Sequence, residues 1–322
     1  MSADGLLFYF IAFMTMAGIY AVLSLALNMQ WGFGGLFNAG IAGFYAVGAY
    51  AAAIVTSANS PSHIGGFDLP VVVGLFVAGV LSGLIGWAIA RICIRLKADY
   101  LAMASIGIAE IIRLVAVNEE WLTNGSLGIS AIPRPLEDVF SGRQAEIVYV
   151  MYVWLVVGVT YFVAQRLRSS PWGRVMRAIR DNEVAAASIG KDVQRFRVET
   201  FIVGAVFMGM AGALSAHYFK FFSPDATEPL LTTFLTWVML IAGGSGNNRG
   251  AIVGALAVWA IWSLTEVITT QLPTEWATRS AYIRMLLIGL FLQVVLQRYR
   301  AGLIPEKTPQ LPFNDKHSGV KL

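Results

Sequence analysis

The chain has 322 residues, of which 57% are hydrophobic and 13% are charged, and its formal net charge is +4. A soluble domain carries roughly a quarter charged residues, so this composition excludes an ordinary soluble domain and indicates an integral membrane protein. The basic residues cluster at predicted membrane edges, so they do not indicate nucleic-acid binding. A single cysteine, Cys93, excludes a disulfide within the chain, and no residue pattern predicts a metal site or a cofactor.

Nine hydrophobic segments are predicted to cross the membrane. They give the fold class: an all-α polytopic membrane protein with about nine spans, between eight and ten. A helix rises about 1.5 Å per residue, so a hydrocarbon core of ~30 Å needs roughly twenty apolar residues. The predicted spans are 6–29, 33–57, 69–94, 100–117, 147–167, 198–222, 231–241, 251–270 and 282–296. The seventh is short and is interpreted as a span, a re-entrant segment or a broken helix.

The positions of Lys and Arg predict the side that each loop faces, because short loops rich in these residues stay in the cytoplasm. The first basic residue is Arg91, and three stretches are basic: 91–97, 166–197 and the tail from Arg298. The mainly acidic loop 118–146 is predicted outside, with the N-terminus outside and the C-terminus cytoplasmic. Residues 1–305 are predicted to form one transmembrane domain, followed by a flexible cytoplasmic tail, 306–322.

Two glycine-rich stretches, 31–35 and 243–250, interrupt the hydrophobic segments. Irregular backbone at membrane depth requires burial in protein or a wet cavity, and broken helices often mark a translocation path. Asn28, Asn38 and Tyr45 lie beside the first break and are candidates for lining such a path. The second break is interpreted as a tight cytoplasmic turn. The other glycines within spans are predicted to serve close helix packing.

Glu110 and Arg113 are charged residues inside a predicted span. They are three positions apart on one helical face and are able to pair. An unpaired charge at the bilayer centre costs ~2.5–3.5 kcal/mol on insertion scales, so pairing is expected. The pair is a candidate gate or contact for charged substrate groups, and the alternative is a structural strut. His217, Lys220 and Glu266 are interpreted as end-of-helix residues.

The loop 169–192 is predicted to be the largest cytoplasmic loop and to contain two helices. Ser170 is a good N-cap before Pro171, and the first helix is expected to run through Arg180. Asp181 is expected to cap a second short helix, 183–189, which Gly190 ends. Alanines dominate that second helix. Its smooth surface suits a groove on another protein, and the alternative is a solvated linker helix.

The spacing Glu183-x-Ala185-Ala186-x-x-x-Gly190 resembles the EAA loop of ATP-binding-cassette (ABC) importer permeases. Further stretches resemble, in the same order, the branched-chain amino-acid ABC transporter permease family, in its longer, M-type membrane subunit. Those stretches are 95–102, 108–114, 122–129, 132–135, 170–174, 178–181, 243–246 and 250–255. The resemblance covers roughly residues 20 to 305. Lys191 departs from the family, which usually has an apolar residue there.

The resemblance implies a membrane-spanning permease subunit of an importer in the bacterial inner (plasma) membrane. The implied substrates are branched-chain or other neutral amino acids, delivered by a periplasmic binding protein. The implied partners include a second related permease, in a heterodimer, and two cytoplasmic ATP-binding subunits that hydrolyse ATP. A coupling helix would contact those subunits. The residues implied in ATPase coupling are Glu183, Ala185, Ala186, Gly190, Arg174 and Arg177.

Three other functions are weighed against this interpretation. A permease for urea or short amides would share the same motifs. A secondary transporter driven by an ion gradient needs paired carboxylates in mid-membrane, and only Glu110 qualifies, with Arg113 neutralising it. A membrane enzyme is disfavoured because the sequence has no clustered His, no Asp-rich motif and no Ser/His arrangement. Gly190-Lys191 resembles the end of a P-loop, but the rest of that motif is missing, so ATP hydrolysis is assigned to partner subunits.

Overall fold

A computed structural model describes residues 3–60, 63–137, 139–227, 229–269 and 280–306. The described part is largely helical. In chain order its α-helices are α1 (Ala3–Leu27), α2 (Ile41–Thr56), α3 (Val71–Cys93), α4 (Ala98–Asn118), α5 (Glu120–Thr123), α6 (Arg143–Ser169), α7 (Pro171–Asp181), α8 (Glu183–Ser188), α9 (Val193–Phe219), α10 (Pro229–Gly243), α11 (Asn248–Thr269) and α12 (Ser280–Arg298). A π-helical segment, Asn28–Phe33, continues α1, and 3-10 turns lie at Gly125–Leu127 and Pro224–Thr227. Two short strands, β1 (Ile129–Ser130) and β2 (Phe221–Phe222), pair in antiparallel fashion.

Each of the nine predicted spans coincides with a helix, which confirms an all-α polytopic membrane protein. Seven helical segments within the described residues are long and apolar enough to cross a membrane, so the predicted count of nine is not confirmed. The shorter apolar helices are α2 and Met285–Arg298. The predicted short seventh span is the unbroken helix α10.

The second predicted span, 33–57, is wrong at its beginning. The helix starts only at Ile41, because residues 34–40 are not helical. The 16 residues of α2 rise about 24 Å, which is less than a hydrocarbon core of ~30 Å. The irregular stretch overlaps the predicted break at 31–35 only in part: residues 31–33 belong to the π-helical segment, and residues 34–40 separate that segment from α2.

Helices α2, α3 and α9 pack against one another more extensively than any other helices of the described part. A Cβ atom on Gly48 of α2 would lie 2.0 Å from the carbonyl oxygen of Gly209 on α9, so only glycine permits this helix approach. The predicted packing role of the span glycines is confirmed here. Helix α1 packs against α6, α9 and α11, and α10 packs against α11. Large apolar side chains on α3 and α6 remain exposed, as on a lipid-facing surface.

The loop between α4 and α6 is tied to the C-terminal end of α9. Lys220 follows α9, as expected for an end-of-helix residue, and its ammonium pairs with Glu137. This hydrogen bond, assisted by the backbone N–H of Arg134, holds the pKa of Glu137 below its usual value. His217 is buried, and its Nδ1 lies 2.7 Å from the carbonyl oxygen of Pro133. The loop is therefore an ordered cover over this end of the bundle.

Candidate functional site

The candidate coupling loop folds as two short helices at one end of α6 and α9. The Ser170 side chain accepts a hydrogen bond from the N–H of Gly173 at 3.2 Å, which confirms it as the N-cap of α7. The sequence predicted Asp181 as the N-cap of α8, and this prediction is wrong: the N-cap is Asn182. Asn182 has an extended backbone and accepts from the N–H of Ala185 at 3.0 Å, whereas Asp181 is the last residue of α7 and pairs with Arg180.

Gly190 ends α8 in a Schellman motif. Its N–H donates to the carbonyl of Ala187 at 2.9 Å, and the N–H of Lys191 donates to the carbonyl of Ala186 at 3.2 Å. Gly190 has a φ of +78°, and no atom lies within 4 Å of the position that a Cβ would occupy. Backbone conformation, not lack of space, therefore requires glycine here.

The exposed surface of α8 is more apolar than its alanines alone suggest. Ala186 is only 2% exposed and packs against Met176 and Ile179 of α7, so the helix does bury one alanine within the loop. Ala185 is exposed. The sequence interpretation missed two side chains that project from this end of the protein: Val184 is 76% exposed and Ile189 is 71% exposed. Aliphatic residues flanking an alanine run in a charged loop are the signal that was available.

Glu183 binds α8 to α9. Its carboxylate accepts two hydrogen bonds from Arg197, at 3.1 and 2.8 Å, in a bidentate ion pair. Arg177 donates to the carbonyl oxygens of Gly173 and Arg168, so its guanidinium braces the corner between α6 and α7. Arg174, in contrast, is exposed. The six predicted coupling residues thus lie in one loop. Arg174 and Ala185 are exposed, whereas Ala186 is buried.

Arg180 joins this loop to the first glycine break, and sequence interpretation gave it no role. Its guanidinium donates to the carbonyl oxygen of Gly32 and pairs with Glu306 at 3.0 Å. Glu306 is the only residue of the predicted tail that the structure describes; residues 307–322 lie outside the described residues. Arg180 and Glu306 are mostly buried, with 25% and 20% of their side chains exposed. A movement of α7 would therefore act directly on the break.

The two glycine breaks lie against each other. Asn28 accepts a hydrogen bond from the N–H of Gly246 at 2.7 Å and donates to Asn248 at 2.9 Å. Residues 244–247 form the turn between α10 and α11, which confirms the predicted turn at the second break. This turn also packs on the chain after α12, where Leu303 and Ile304 donate to carbonyls at the end of α10.

Asn38 and Gln30 hold the irregular segment of the first break in place. Asn38 donates to the Gln30 side chain at 2.8 Å and accepts from the N–H of Gly40 at 2.8 Å. Gln30, which the sequence interpretation missed, donates to the carbonyl of Phe201 on α9 at 2.8 Å. Asn28, Gln30 and Asn38 are fully buried, and Tyr45 is nearly so. Gln30 and Asn38 therefore bond to each other, and Asn28 bonds to the second break.

An open, almost wholly apolar cleft of about 570 Å³ lies beside the first break. Trp31 and Phe37 from the break meet Trp237 of α10, with ring centroids 5.3 and 4.5 Å from the Trp237 ring. Phe234 of α10 and Ile106 of α4 also line the cleft. Such a cleft has the size and the lining of a small-molecule site, and an aliphatic side chain fits it chemically.

Glu110 and Arg113 continue the face of α4 that borders this aromatic cleft, since Ile106, Glu110 and Arg113 follow helical spacing of four and three. Arg113 donates to Glu110 at 2.9 and 2.5 Å. The Arg113 side chain is 30% exposed and the Glu110 side chain is 41% exposed, so the pair is not sealed inside the bundle. Within the described residues, no group of three or more His, Cys, Asp or Glu is arranged to hold a metal ion.

The sequence of the chain is similar to sequences of known proteins. The family described as "Branched-chain amino acid transport system / permease component" matches residues 9–296. The chain is 31% identical to the high-affinity branched-chain amino acid transport system permease protein LivM of Escherichia coli (strain K12), over 94% of this chain and 71% of the relative. It is 27% identical to the probable LivM of Methanocaldococcus jannaschii, over 90% and 91%.

The LivH permease of Salmonella typhimurium is 22% identical, over 86% of this chain and 90% of the relative. No solved structure is a significant match. The family match covers most of the chain, and the helical bundle has the apolar spans that a multi-pass permease requires. The chain therefore belongs to the branched-chain amino acid transport system permease family.

Proposed function

We propose that the chain is the M-type permease subunit of an ABC importer for branched-chain amino acids, powered by separate ATP-binding subunits. A periplasmic binding protein delivers the substrate, and a second related permease completes the membrane part. The loop with α7 and α8 and the C-terminus are cytoplasmic, and the N-terminus is outside. The similarity to both LivM and LivH supports two unlike permeases in one system. The observation that carries the proposal is the short, glycine-ended helix α8, which presents two aliphatic side chains at one end of the protein.

In this proposal α8 is the helix that the ATPase holds. Val184 and Ile189 enter an apolar groove on that subunit, as amphipathic helices do in other complexes. Exposed Arg174 adds a positive charge beside the contact. Closure of the ATPases on ATP moves α8, and the Glu183–Arg197 pair passes the movement to α9. Arg180 passes it to the first break.

Co-purification tests this contact. The chain is co-expressed with the second permease and the ATPase, and Val184→Asp is compared with Val139→Asp. Val139 is 71% exposed in the loop between α4 and α6, so the control introduces the same change at similar exposure. Val184→Asp should lose the ATPase, because a charge would be buried in an apolar groove. Equal recovery of the ATPase with both variants would refute the assignment of α8.

The aromatic cleft is proposed to hold the branched side chain of the substrate, and Glu110 and Arg113 its ammonium and carboxylate. The lining favours an aliphatic substrate over urea, because urea has no apolar group to bury. Asn28, Asn38 and Tyr45 support the surrounding walls. The transport path then runs along the face shared by α4 and α10.

Uptake of labelled leucine and urea tests the cleft. Ile106→Trp should fill it and reduce leucine uptake at least about tenfold, while the ATPase still co-purifies. Ile106 is 48% exposed, so the larger side chain meets open space rather than the core. Ile111→Trp, at an exposed position on another face of α4, is the matched control and should leave uptake unchanged. Normal leucine uptake by Ile106→Trp, or preferred uptake of urea, would contradict the proposed substrate site.

A further inference from the structure

A second pocket, unrelated to the aromatic cleft, lies between the end of α3 and the beginning of α9. Its volume is about 640 Å³. Its polar rim contains Arg91 in the last turn of α3, Arg95 just after that helix, and Arg195 in the first turn of α9. Its apolar wall includes Trp87 and Ile202. The pocket is therefore charged at one end and apolar at the other.

The carboxylates of this pocket are already occupied by other groups. Glu199 accepts from the Arg195 guanidinium at 2.9 Å and from the Trp172 indole at 2.9 Å. Asp192 accepts from the backbone N–H of Arg195 at 3.1 Å, as the N-cap of α9. Glu199 therefore balances the charge of Arg195, and Asp192 caps α9, so the three arginines of the pocket exceed its two carboxylates by one positive charge.

Arg91 and Arg95 are the two other arginines that line the pocket. Among the described residues neither has a carboxylate at ion-pair distance. Arg95 donates to the Gln194 side chain at 3.2 Å, and the Arg91 guanidinium lies 5.8 Å from the Trp87 ring centroid. Both arginines are exposed, so their remaining N–H groups are available to an anion.

The pocket lies at the end of α3, a helix that is long and apolar enough to cross a membrane. Trp87, which is 49% exposed, precedes Arg91 by one helical turn on the same face of α3. Tryptophan is enriched at the headgroup level, and basic pockets between helices near this level bind anionic head groups. An amphiphile with a phosphate beside the arginines would lay its acyl chain along Trp87 and Ile202.

We propose that this pocket binds the phosphate of an anionic membrane phospholipid, with Arg91 and Arg95 as its ligands. Guanidinium groups match phosphate geometry and form charge-assisted hydrogen bonds to it. The lining of this site shares no residue with the aromatic cleft and includes neither Val184 nor Ile189 of the ATPase contact. A bound lipid would link the end of α3 to the beginning of α9, just after the coupling loop.

Native mass spectrometry of the full, delipidated chain in detergent tests this site. The probes are phosphatidylglycerol, zwitterionic phosphatidylethanolamine and soluble glycerol phosphate. Phosphatidylglycerol should bind at least about fivefold more tightly than phosphatidylethanolamine, since each basic residue near a membrane surface contributes about this factor for an anionic lipid. Failure of glycerol phosphate to compete supports a lipid source. Full competition by glycerol phosphate would overturn the lipid assignment.

The variant Arg91→Gln/Arg95→Gln should weaken phosphatidylglycerol binding about 25-fold, and Arg91→Lys should lose less because its charge remains. Arg298→Gln, in the last turn of α12, removes an exposed basic residue outside the pocket and should bind lipid normally. Elution at the wild-type position in size-exclusion chromatography checks folding. Unchanged lipid binding by the double variant would refute the proposal.

Discussion

At the residue scale, Gly190 shows how one backbone angle determines the shape of the coupling loop. Its left-handed conformation allows Gly190 and Lys191 to donate to the carbonyls that α8 would otherwise leave unpaired. An L-residue with a Cβ pays roughly 1–2 kcal/mol for this conformation, and asparagine tolerates it better than alanine. Because there is open space around Gly190, a substitution there changes the backbone energy without adding steric crowding.

We therefore predict that Gly190→Ala frays α8 and that Gly190→Asn does so less. Hydrogen exchange of the backbone amides of 186–191, measured by mass spectrometry on the purified chain, should accelerate in the alanine variant. The asparagine variant is the control for simple loss of glycine. If alanine and asparagine gave the same exchange as the wild type, the left-handed cap would not be what stabilises α8.

Single residues also show where sequence interpretation stops. Ser170 and Gly190 were predicted correctly because caps depend on neighbours within a few positions. The partners of Arg180 were not predicted, because Gly32 and Glu306 are 148 and 126 positions away. The inward direction of Ala186 likewise depends on how α7 packs, which local spacing does not contain.

At the element scale, Arg180 of α7 connects that helix to the first break through its hydrogen bond to Gly32. The apolar run 33–40 reads as the beginning of a span, but buried hydrogen bonds of Gln30 and Asn38 keep it out of the helix. Hydropathy located the helices because long apolar runs have few other solutions. It could not locate the beginning of α2, because hydrogen bonds to distant elements form there: the Ser105 hydroxyl of α4 accepts from the N–H of Ala39, and Gln30 donates to Phe201 of α9.

Arg180→Gln should uncouple α7 from the break. The variant loses the ion pair with Glu306 and leaves that mostly buried carboxylate unpaired, so we expect normal ATPase binding but leucine uptake reduced about tenfold. ATP hydrolysis and uptake are measured together on the co-purified complex. Arg166→Gln, at an exposed arginine in the same basic stretch, is the control. Uptake and hydrolysis that stay in the wild-type ratio would show that Arg180 transmits nothing.

At the scale of the whole molecule, α4 is the least buried of the seven potential spans. Its exposed face carries the Glu110–Arg113 pair, and charges facing lipid are costly. We infer that the second permease or the water-filled path covers this face. The number of spans is also a property of the whole molecule: seven helical segments of the described residues are long enough to cross a bilayer, and α2, with 16 residues, is shorter.

Arg113→Gln should leave Glu110 unpaired, at a cost of about 2.5–3.5 kcal/mol at the bilayer centre, and should lower the amount of protein in the membrane. Glu110→Gln/Arg113→Gln removes both charges and should restore much of that amount, although leucine uptake should stay low. Membrane abundance and uptake are measured on the same cells. A double variant as poorly inserted as the single one would mean that the pair does not balance charge.

The central claim is that a separate ATPase, acting through α8, drives amino-acid passage through this chain. The most direct measurement is leucine uptake into proteoliposomes that contain the co-purified permeases and ATPase, with the binding protein supplied outside and ATP enclosed. The account predicts uptake that needs hydrolysable ATP, survives collapse of ion gradients and disappears with Val184→Asp. Uptake that proceeds without any ATPase, or that ion-gradient collapse abolishes, would contradict it.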